Sequence, residues 1–347
     1  MEIKTAVHQL HPRGAFRIAR QRTVPFDNVI LRVEHDGVTG WGEASPHPYY
    51  GASAAGVVRN LESRSGWLRT LSIRSVDDIA KAWKESWTQL HPDRAAQCAL
   101  DLALWDWLAR KEGVTVTELA HGHVPQPVTS FATIGLSTKD ELDDKIAELE
   151  GFPRVKIKSD ANGDLDPARR VKEELRAAIA IDANGAWSTR ALPALAMGFS
   201  SLGAEFIEQP FPDAHDRELI RGSYPIPIIA DESCVLEEDV DRLSLNFDGI
   251  NVKLVKCGGL TPALRMVQRA NQLGMRTMVG CMLETSILIA AGCVAAQHAD
   301  YADLDGAWLI ADDPCAGWRF ERGILHPPPA PGLGAEPRPQ PFPRAAD

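Results

Sequence analysis

No stretch of the 347 residues approaches the roughly 20 consecutive apolar residues needed to span a bilayer. The opening MEIKTAVHQLHPRG also lacks the apolar core of a secretory leader. Basic residues are outnumbered, 37 Lys and Arg against 47 Asp and Glu, and no basic run stands out against the net charge of −10, which argues against a nucleic-acid partner. The six cysteines include no C-x-x-C pair, and their mostly apolar neighbourhoods are those of reduced thiols. These absences exclude membrane, secreted and nucleic-acid-binding classes, and the expectation is a cytoplasmic protein. A homo-oligomer is left open.

What is present is a hydrophobic fraction of 44% and a charged fraction of 24%, enough for a large core. Residues 1 to about 50 alternate as strands do, and Asp36-Gly37 between NVILRVEH and VTGWGEAS is a hairpin signal. Between the first two runs, FRIARQRTV carries Arg17, Arg20 and Arg22. It is either a solvated hairpin loop or a cover for a substrate. The periodicity then becomes helical. In AAQCALDLALWDWLARKEG, Ala99, Leu102, Leu104, Trp105 and Leu108 fall at helical spacing, and Gly113 ends the helix after basic residues. Asp101 and Asp106 on that helix are read as structural. A short strand around Trp318 to Leu325 is expected to return to this first unit, and the proline-rich HPPPAPGLGAEPRPQPFPRAAD to be an extended, partly mobile tail.

From 126 onward the chain repeats. VTSFATIG, RVKIK, AAIAIDAN, AEFIEQP, PIIADE, GINVKL, RTMVGC and YADLDG are short β-rich runs ending in Thr133, Lys158, Asp182, Glu208, Asp231, Lys253, Cys281 and Asp303. Successive ends lie 22 to 28 residues apart, the length of one strand, one helix and two short loops. Caps are expected at Ser137-Thr138 and at Ser188-Thr189. Eight such units predict an α/β fold, a (β/α)7β TIM-type barrel over 126–320, with an α+β capping domain over 1–125 and a return segment and tail over 321–347. In a barrel of this kind, functional groups sit at the carboxyl ends of the strands.

The chemistry follows from those ends. Asp182, Glu208 and Asp231 end three consecutive strands, and carboxylates converging at one rim repel unless a cation lies among them. A hard divalent ion suits an all-oxygen set, so Mg²⁺ is expected, with Mn²⁺ as a substitute. Lys156 and Lys158 share one strand face. If that face is the interior, crowding and burial lower the pKa of at least one toward that of a general base. Lys253 lies four strands away, hence across the barrel, so two amines face each other over a metal-bound ligand. That arrangement can remove a proton from one face of a carbon and return one to the other. Lys256, an odd number of residues beyond Lys253, is expected to point outward. Asp303 and Asp305 share a face away from the metal side and suit an ammonium group.

The set VKIKSD, AIDANGAW, FIEQP, IADES and INVKLVKCGG resembles the enolase superfamily in its muconate-lactonising subgroup, as do GWGEASPHPYYG and ALDLALWDWLAR in the first unit. The D-x-D of YADLDG, with GCMLETS before it, is similar to the dipeptide epimerases, most of all the L-Ala-D/L-Glu type. The resemblance implies that Lys158 and Lys253 are acid/base catalysts beside Mg²⁺. It further implies that Asp303 and Asp305 hold the α-ammonium of a dipeptide, that Lys156 assists at its carboxylate, and that Thr133, Asn184 and Cys281 line the pocket. FRIARQR resembles a loop whose arginine meets a distal carboxylate, with Arg22 the counterpart and Arg20 the alternative. Rival readings are an N-acylamino acid racemase, a succinylbenzoate-type synthase or a cycloisomerase with the same lysines, and a Schiff-base aldolase, which leaves the three carboxylates unexplained. A non-catalytic ligand-binding barrel is the rival from another class.

Overall fold

The computed structural model describes residues 1–13, 25–90 and 93–339. β1 (Glu2–Leu10), β2 (Phe26–His35) and β3 (Val38–Ala44) form an antiparallel sheet in the order β1-β2-β3. Asp36 and Gly37 join β2 to β3 with φ of 51° and 73°, the two-residue turn whose twist matches the flanking strands. The longest helices that follow are α1 (Ala54–Ser63), α2 (Val76–Leu90) and α3 (Arg94–Glu112). The Asp93 side chain caps the start of α3, and Gly113 closes it at φ 71°.

The helical spacing read in the sequence understates α3. Every residue from Ala95 to Ala109 is buried, because the helix lies between the sheet and the barrel. A Cβ at Gly42 would lie 1.9 Å from the Ala99 carbonyl oxygen, so only glycine lets β3 approach α3 this closely.

The barrel strands are β4 (Ala132–Ile134), β5 (Arg154–Lys158), β6 (Ala178–Asp182), β7 (Ala204–Glu208), β8 (Ile228–Ala230), β9 (Gly249–Lys253), β10 (Arg276–Gly280) and β11 (Tyr301–Asp303). They pair in chain order in one eight-stranded sheet, parallel throughout. It closes where the Phe131 amide donates to the Ala302 carbonyl at 2.8 Å. Helices α4 (Lys139–Glu148), α5 (Asp166–Leu175), α6 (Leu192–Ser201), α7 (Glu237–Leu243), α8 (Leu260–Gln272) and α9 (Ser286–Ala295) connect the strands, and a 3₁₀ turn, Asp213–Glu218, replaces the helix between β7 and β8.

Thr138 caps α4 in a capping box with Glu141, as its sequence predicts. The cap expected at Ser188 is not the start of α6. Its hydroxyl accepts from the Ala191 amide at 3.3 Å in a preceding turn, and α6 begins at Leu192 with Pro193 in its first turn.

Inside the barrel, Phe131, Ala180, Phe206, Ile229 and Met278 pack with Tyr301 into a floor, closed below by the Arg154 guanidinium over the Phe131 and Tyr301 rings. Side chains on a strand alternate between faces, so two residues further along each strand brings the next inward group. Above Phe131 comes Thr133, above Ala180 Asp182, above Phe206 Glu208, above Ile229 Asp231 and above Tyr301 Asp303. The apolar floor thus sets the level of the polar mouth.

Two buried acids of the N-terminal unit cap barrel helices. Asp101 accepts from the Thr261 amide at 2.8 Å and its hydroxyl at 2.6 Å at the start of α8. Glu43 accepts from the Thr285 amide at 2.9 Å, the Thr285 hydroxyl at 2.6 Å and the Leu288 amide at 3.0 Å at the start of α9.

The chain after the barrel departs from its expected path. Arg319–Glu321 and Ile324–His326 form a hairpin that pairs with Val128–Thr129 beside the barrel, not with the N-terminal sheet. The proline-rich stretch beyond it is docked over its described residues, 327–339, because α3 offers it partners, and residues 340–347 of the expected tail lie outside the described residues. The Leu333 amide donates to Asp106 Oδ1 at 2.7 Å, and Arg110 donates to the Ala335 carbonyl at 3.1 Å. Among the described residues no helix is long and apolar enough to cross a membrane.

Replacing Glu43 with Ala strands three buried donors at the start of α9 and should lower stability by about 2–3 kcal/mol. Urea unfolding should show this as a lower midpoint at unchanged slope, with Glu43→Gln recovering part of the loss.

Candidate active site

The mouth of the barrel holds a cavity of about 320 Å³. Lys156, Lys158, Asp231, Lys253, Asp303 and Asp305 line it, and so do Thr133, Asn184 and Cys281. Asp182 and Glu208 lie just beneath, fully buried. Eleven of the side chains singled out in the sequence therefore meet at one place. The twelfth, Arg22, falls in 14–24 with Arg20, outside the described residues.

The amines and acids are interleaved. Lys158 Nζ donates to Asp182 Oδ2 at 2.6 Å, and Lys253 Nζ to Asp231 Oδ2 at 2.8 Å. Lys156 sits at the centre, bonded to Asp303 and, at 3.1 Å, to Glu208 Oε2, with Asp182 Oδ2 at 3.5 Å. Burial works against the Lys156 charge, yet Asp303, Glu208 and Asp182 hold its pKa well above the ordinary lysine value. Lys253 is likewise raised against burial, by Asp231 and then Glu208. The lowered lysine pKa expected from crowding is therefore reversed for Lys156, because carboxylates and not a second amine dominate its surroundings. Nor does the D-x-D stand apart from other charge, since Asp303 already meets the Lys156 ammonium. Asp305 accepts from the Thr133 amide at 2.6 Å, and burial followed by the Asp303 charge pushes its pKa up to about 7.

Lys256 is the clearest departure. It is fully buried, donating to Asp231 Oδ1 at 2.7 Å and to the Asp231 carbonyl at 2.6 Å. The strand ends at Lys253 and a helical turn, Leu254–Cys257, takes over. Residues 253 and 256 are then i and i+3, on one side, and the two-residue alternation no longer applies. Asn251 was overlooked as well. It donates to Glu208 Oε1 at 2.7 Å, and its place two residues before Lys253 is the signal that assigns it to the interior. A Cβ at Gly280 would lie 2.6 Å from Asn251 Oδ1, so the bare β10 end makes room for this side chain. The N-terminal unit supplies Phe26, Ser45, His47, Tyr49 and Tyr50 to the cavity. The signal for the last four was the segment GWGEASPHPYYG, which carries no periodicity of its own. Asn184 and Gln209, each next to or near a strand-end acid, have φ of 44° and 35°, strained values of the kind that gather at functional sites.

Among the described residues no three acidic, histidine or cysteine groups stand together as a ready-made metal cage. The reason is visible in the contacts above, where Asp182, Glu208 and Asp231 are each turned toward an amine or amide. Their chemistry nonetheless fits a hard cation. They are buried oxygen donors on adjacent strands, and with Glu232, Asp303 and Asp305 the mouth holds six carboxyl groups against four lysines. Burial and then the Asp182 charge push Glu208 up to about 8, and burial also raises Glu232. Asp182 and Asp231 remain below the ordinary carboxyl range, since the lysines beside them outweigh burial. A divalent cation would offset the surplus of negative charge and let the remaining acids ionise.

Residues 2–120 match the family described as mandelate racemase / muconate lactonizing enzyme, N-terminal domain, and residues 140–341 match the enolase C-terminal domain-like family. The chain is 35% identical over 336 residues to an L-Ala-D/L-amino acid epimerase of Flavobacterium johnsoniae, covering 94% of this chain and 96% of that protein. It is 35% identical over 339 residues to an L-Ala-D/L-Glu epimerase of Bacteroides thetaiotaomicron, covering 94% and 85%. A dipeptide epimerase from Methylococcus capsulatus, solved with Mg and the dipeptide L-Arg-D-Lys, superposes with a TM-score of 0.89 at 32% identity, covering 96% and 98%.

Lys256→Met removes the buried donor that holds Asp231 while leaving the carboxylate in place. Loss of one partner of such a pair should cost about 3–5 kcal/mol, read as a drop in unfolding free energy in urea.

Proposed function

The chain belongs to the mandelate racemase / muconate lactonizing enzyme family of the enolase superfamily, and from that premise we propose that its cavity inverts the α-carbon of the carboxy-terminal residue of a dipeptide. The protein is an isomerase, a dipeptide epimerase, and its cofactor is Mg²⁺. The observation that carries the site assignment is the pair Lys158 and Lys253. They line one cavity from strands four apart, each bonded to a different member of the acid trio. The acidic surface and six free thiols support a cytoplasmic location.

An α-proton beside a carboxylate resists removal, because the product must carry further negative charge next to an existing one. When bound by Asp182, Glu208 and Asp231, Mg²⁺ supplies the positive charge that eases this step. Lys156, held as an ammonium ion at the centre of the mouth, donates to the oxygen on which charge builds. One of Lys158 and Lys253 takes the proton from its face of the α-carbon, and the other delivers a proton to the opposite face, inverting the centre. For the other epimer the two exchange roles. Asp303 and Asp305 receive the α-ammonium, with the Thr133 amide bracing Asp305. Asn184 and Cys281 complete the wall.

In D₂O, Lys158→Ala and Lys253→Ala should each stop epimerisation, while each still exchanges the α-proton of one epimer, with opposite preferences. Near wild-type epimerisation by either variant would remove that lysine from the chemistry. Chelation should abolish turnover and Mg²⁺ restore it, and Glu208→Gln should lower turnover at least about 10²-fold. N-acetylation of the dipeptide, or Asp303→Asn, should weaken turnover by about 2–5 kcal/mol in kcat/KM. A better rate with an N-acylamino acid than with a free dipeptide would shift the reading to a racemase of N-acylamino acids.

A further inference from the structure

Three imidazoles meet far from the barrel mouth, at the seam between the two units. His121 ends the short helix Val116–His121, His123 follows it after Gly122, and His298 ends the 3₁₀ turn Ala296–His298 that precedes β11. Gly122, at φ 74°, turns the chain so that the rings on either side of it stack. The ring centroids lie 4.6 Å apart for His121 and His298 and 5.6 Å apart for each of the other two pairs. His11, His35 and His215 each face a carboxylate, whereas these three face one another.

Hydrogen bonds fix two of the tautomers, because a carbonyl oxygen only accepts. His121 Nε2 donates to the Val294 carbonyl at 2.9 Å, and His123 Nδ1 donates to the Val124 carbonyl at 2.9 Å. In each neutral ring the other nitrogen carries the lone pair, Nδ1 in His121 and Nε2 in His123. Metal-ligating histidines are held in this way, with one nitrogen on the ion and the other tied to a carbonyl. Burial lowers the His121 pKa more than its bond to Val294 raises it, and the fields of His298 and His123 act in the same direction as burial. His298 is exposed, and among the described residues its ring makes no hydrogen bond, so it is the member with room to turn.

Imidazole nitrogens bind Zn²⁺ at about 2.0–2.1 Å, which sets three ring centroids around one tetrahedral ion about 5 Å from one another. The observed separations bracket that spacing, although the three rings do not stand as a finished cage. We propose that His121, His123 and His298 form a second metal site, for a borderline transition ion such as Zn²⁺, closed by rotation of the His298 ring and completed by water. Three neutral nitrogens suit such an ion and not Mg²⁺, so this site and the carboxylate mouth of the barrel take different metals. His123 also lines a cavity of about 550 Å³ at the amino-terminal end of the barrel, which gives an ion and its water room to enter. His121 and His123 belong to the first unit and His298 to the barrel, so the ion staples the two together beside the bond from His121 to Val294. The proposal does not depend on the epimerase reading.

The test uses the full chain without an affinity tag, held in excess Mg²⁺ to fill the carboxylate site and titrated with Co²⁺ as a coloured stand-in for Zn²⁺. The wild-type protein should bind one equivalent with the intense d–d absorption of a tetrahedral ion and no thiolate charge-transfer band, and Zn²⁺ should bleach the colour. His123→Asn and His298→Asn should each weaken this binding at least about tenfold. Zn²⁺ should raise the thermal unfolding midpoint of the wild-type protein and leave those of the two variants unmoved. No uptake, a thiolate band, or equal uptake by the wild type and both variants overturns the site. His121→Asn should behave as the other two, but its ring also holds Val294, so His123→Asn and His298→Asn decide if it does not fold. Because the readouts are metal uptake and unfolding, absence of dipeptide turnover leaves this proposal standing, and absence of uptake leaves the epimerase reading standing.

Discussion

Four lysines and six carboxyl groups share the mouth of this barrel, and the rest of the molecule is arranged around keeping them paired. An isolated charge in such a place would be destabilised by several kcal/mol, so each ammonium group must meet a carboxylate and each carboxylate a donor. The apolar floor of Phe131, Phe206, Ile229 and Met278 excludes water from below and fixes the height at which the charged layer begins. Above it, the cap contributed by residues from Phe26 to Tyr50 restricts solvent from the other side. The surplus of acid over base then defines what the site can accept, namely positive charge, whether as a metal ion or as an ammonium group.

Much of this was legible in the sequence because two simple periodicities carry it. A spacing of 22 to 28 residues between polar strand ends needs no knowledge of contacts, and all eight barrel strands lie where that spacing puts them. The two-residue alternation within a strand places Lys156 with Lys158 and Asp303 with Asp305, and it holds in the structure. The same rule failed at Lys256, where the backbone changes from strand to helical turn after Lys253, a change that the run LVKCGG signals only through its glycines.

The charge states were harder to read than the positions. Crowded lysines alone would depress one another's pKa, but the sequence does not reveal that Asp303, two strands round the closed barrel and 147 residues away in the chain, reaches Lys156. Contributions from the N-terminal unit were also hidden. His47, Tyr50 and Phe26 reach the cavity because Glu43 and Asp101 dock that unit on helices α9 and α8, and docking between distant segments leaves no period in a single sequence. The end of α3 is the same case, since Asp106 finds its partner at Leu333.

That last contact bears on how the chain is made. α3 is buried on all sides, yet the Leu333 amide that caps one face of Asp106 is synthesised 227 positions after it. While the barrel is emerging, this helix has its sheet but neither its barrel partners nor its closing strap, and Asp106, fully buried once folded, has only Arg110 and the Trp41 amide to hold. Completion of the N-terminal unit is thus deferred until the chain has been made through Leu333, and the two halves mature together rather than in sequence.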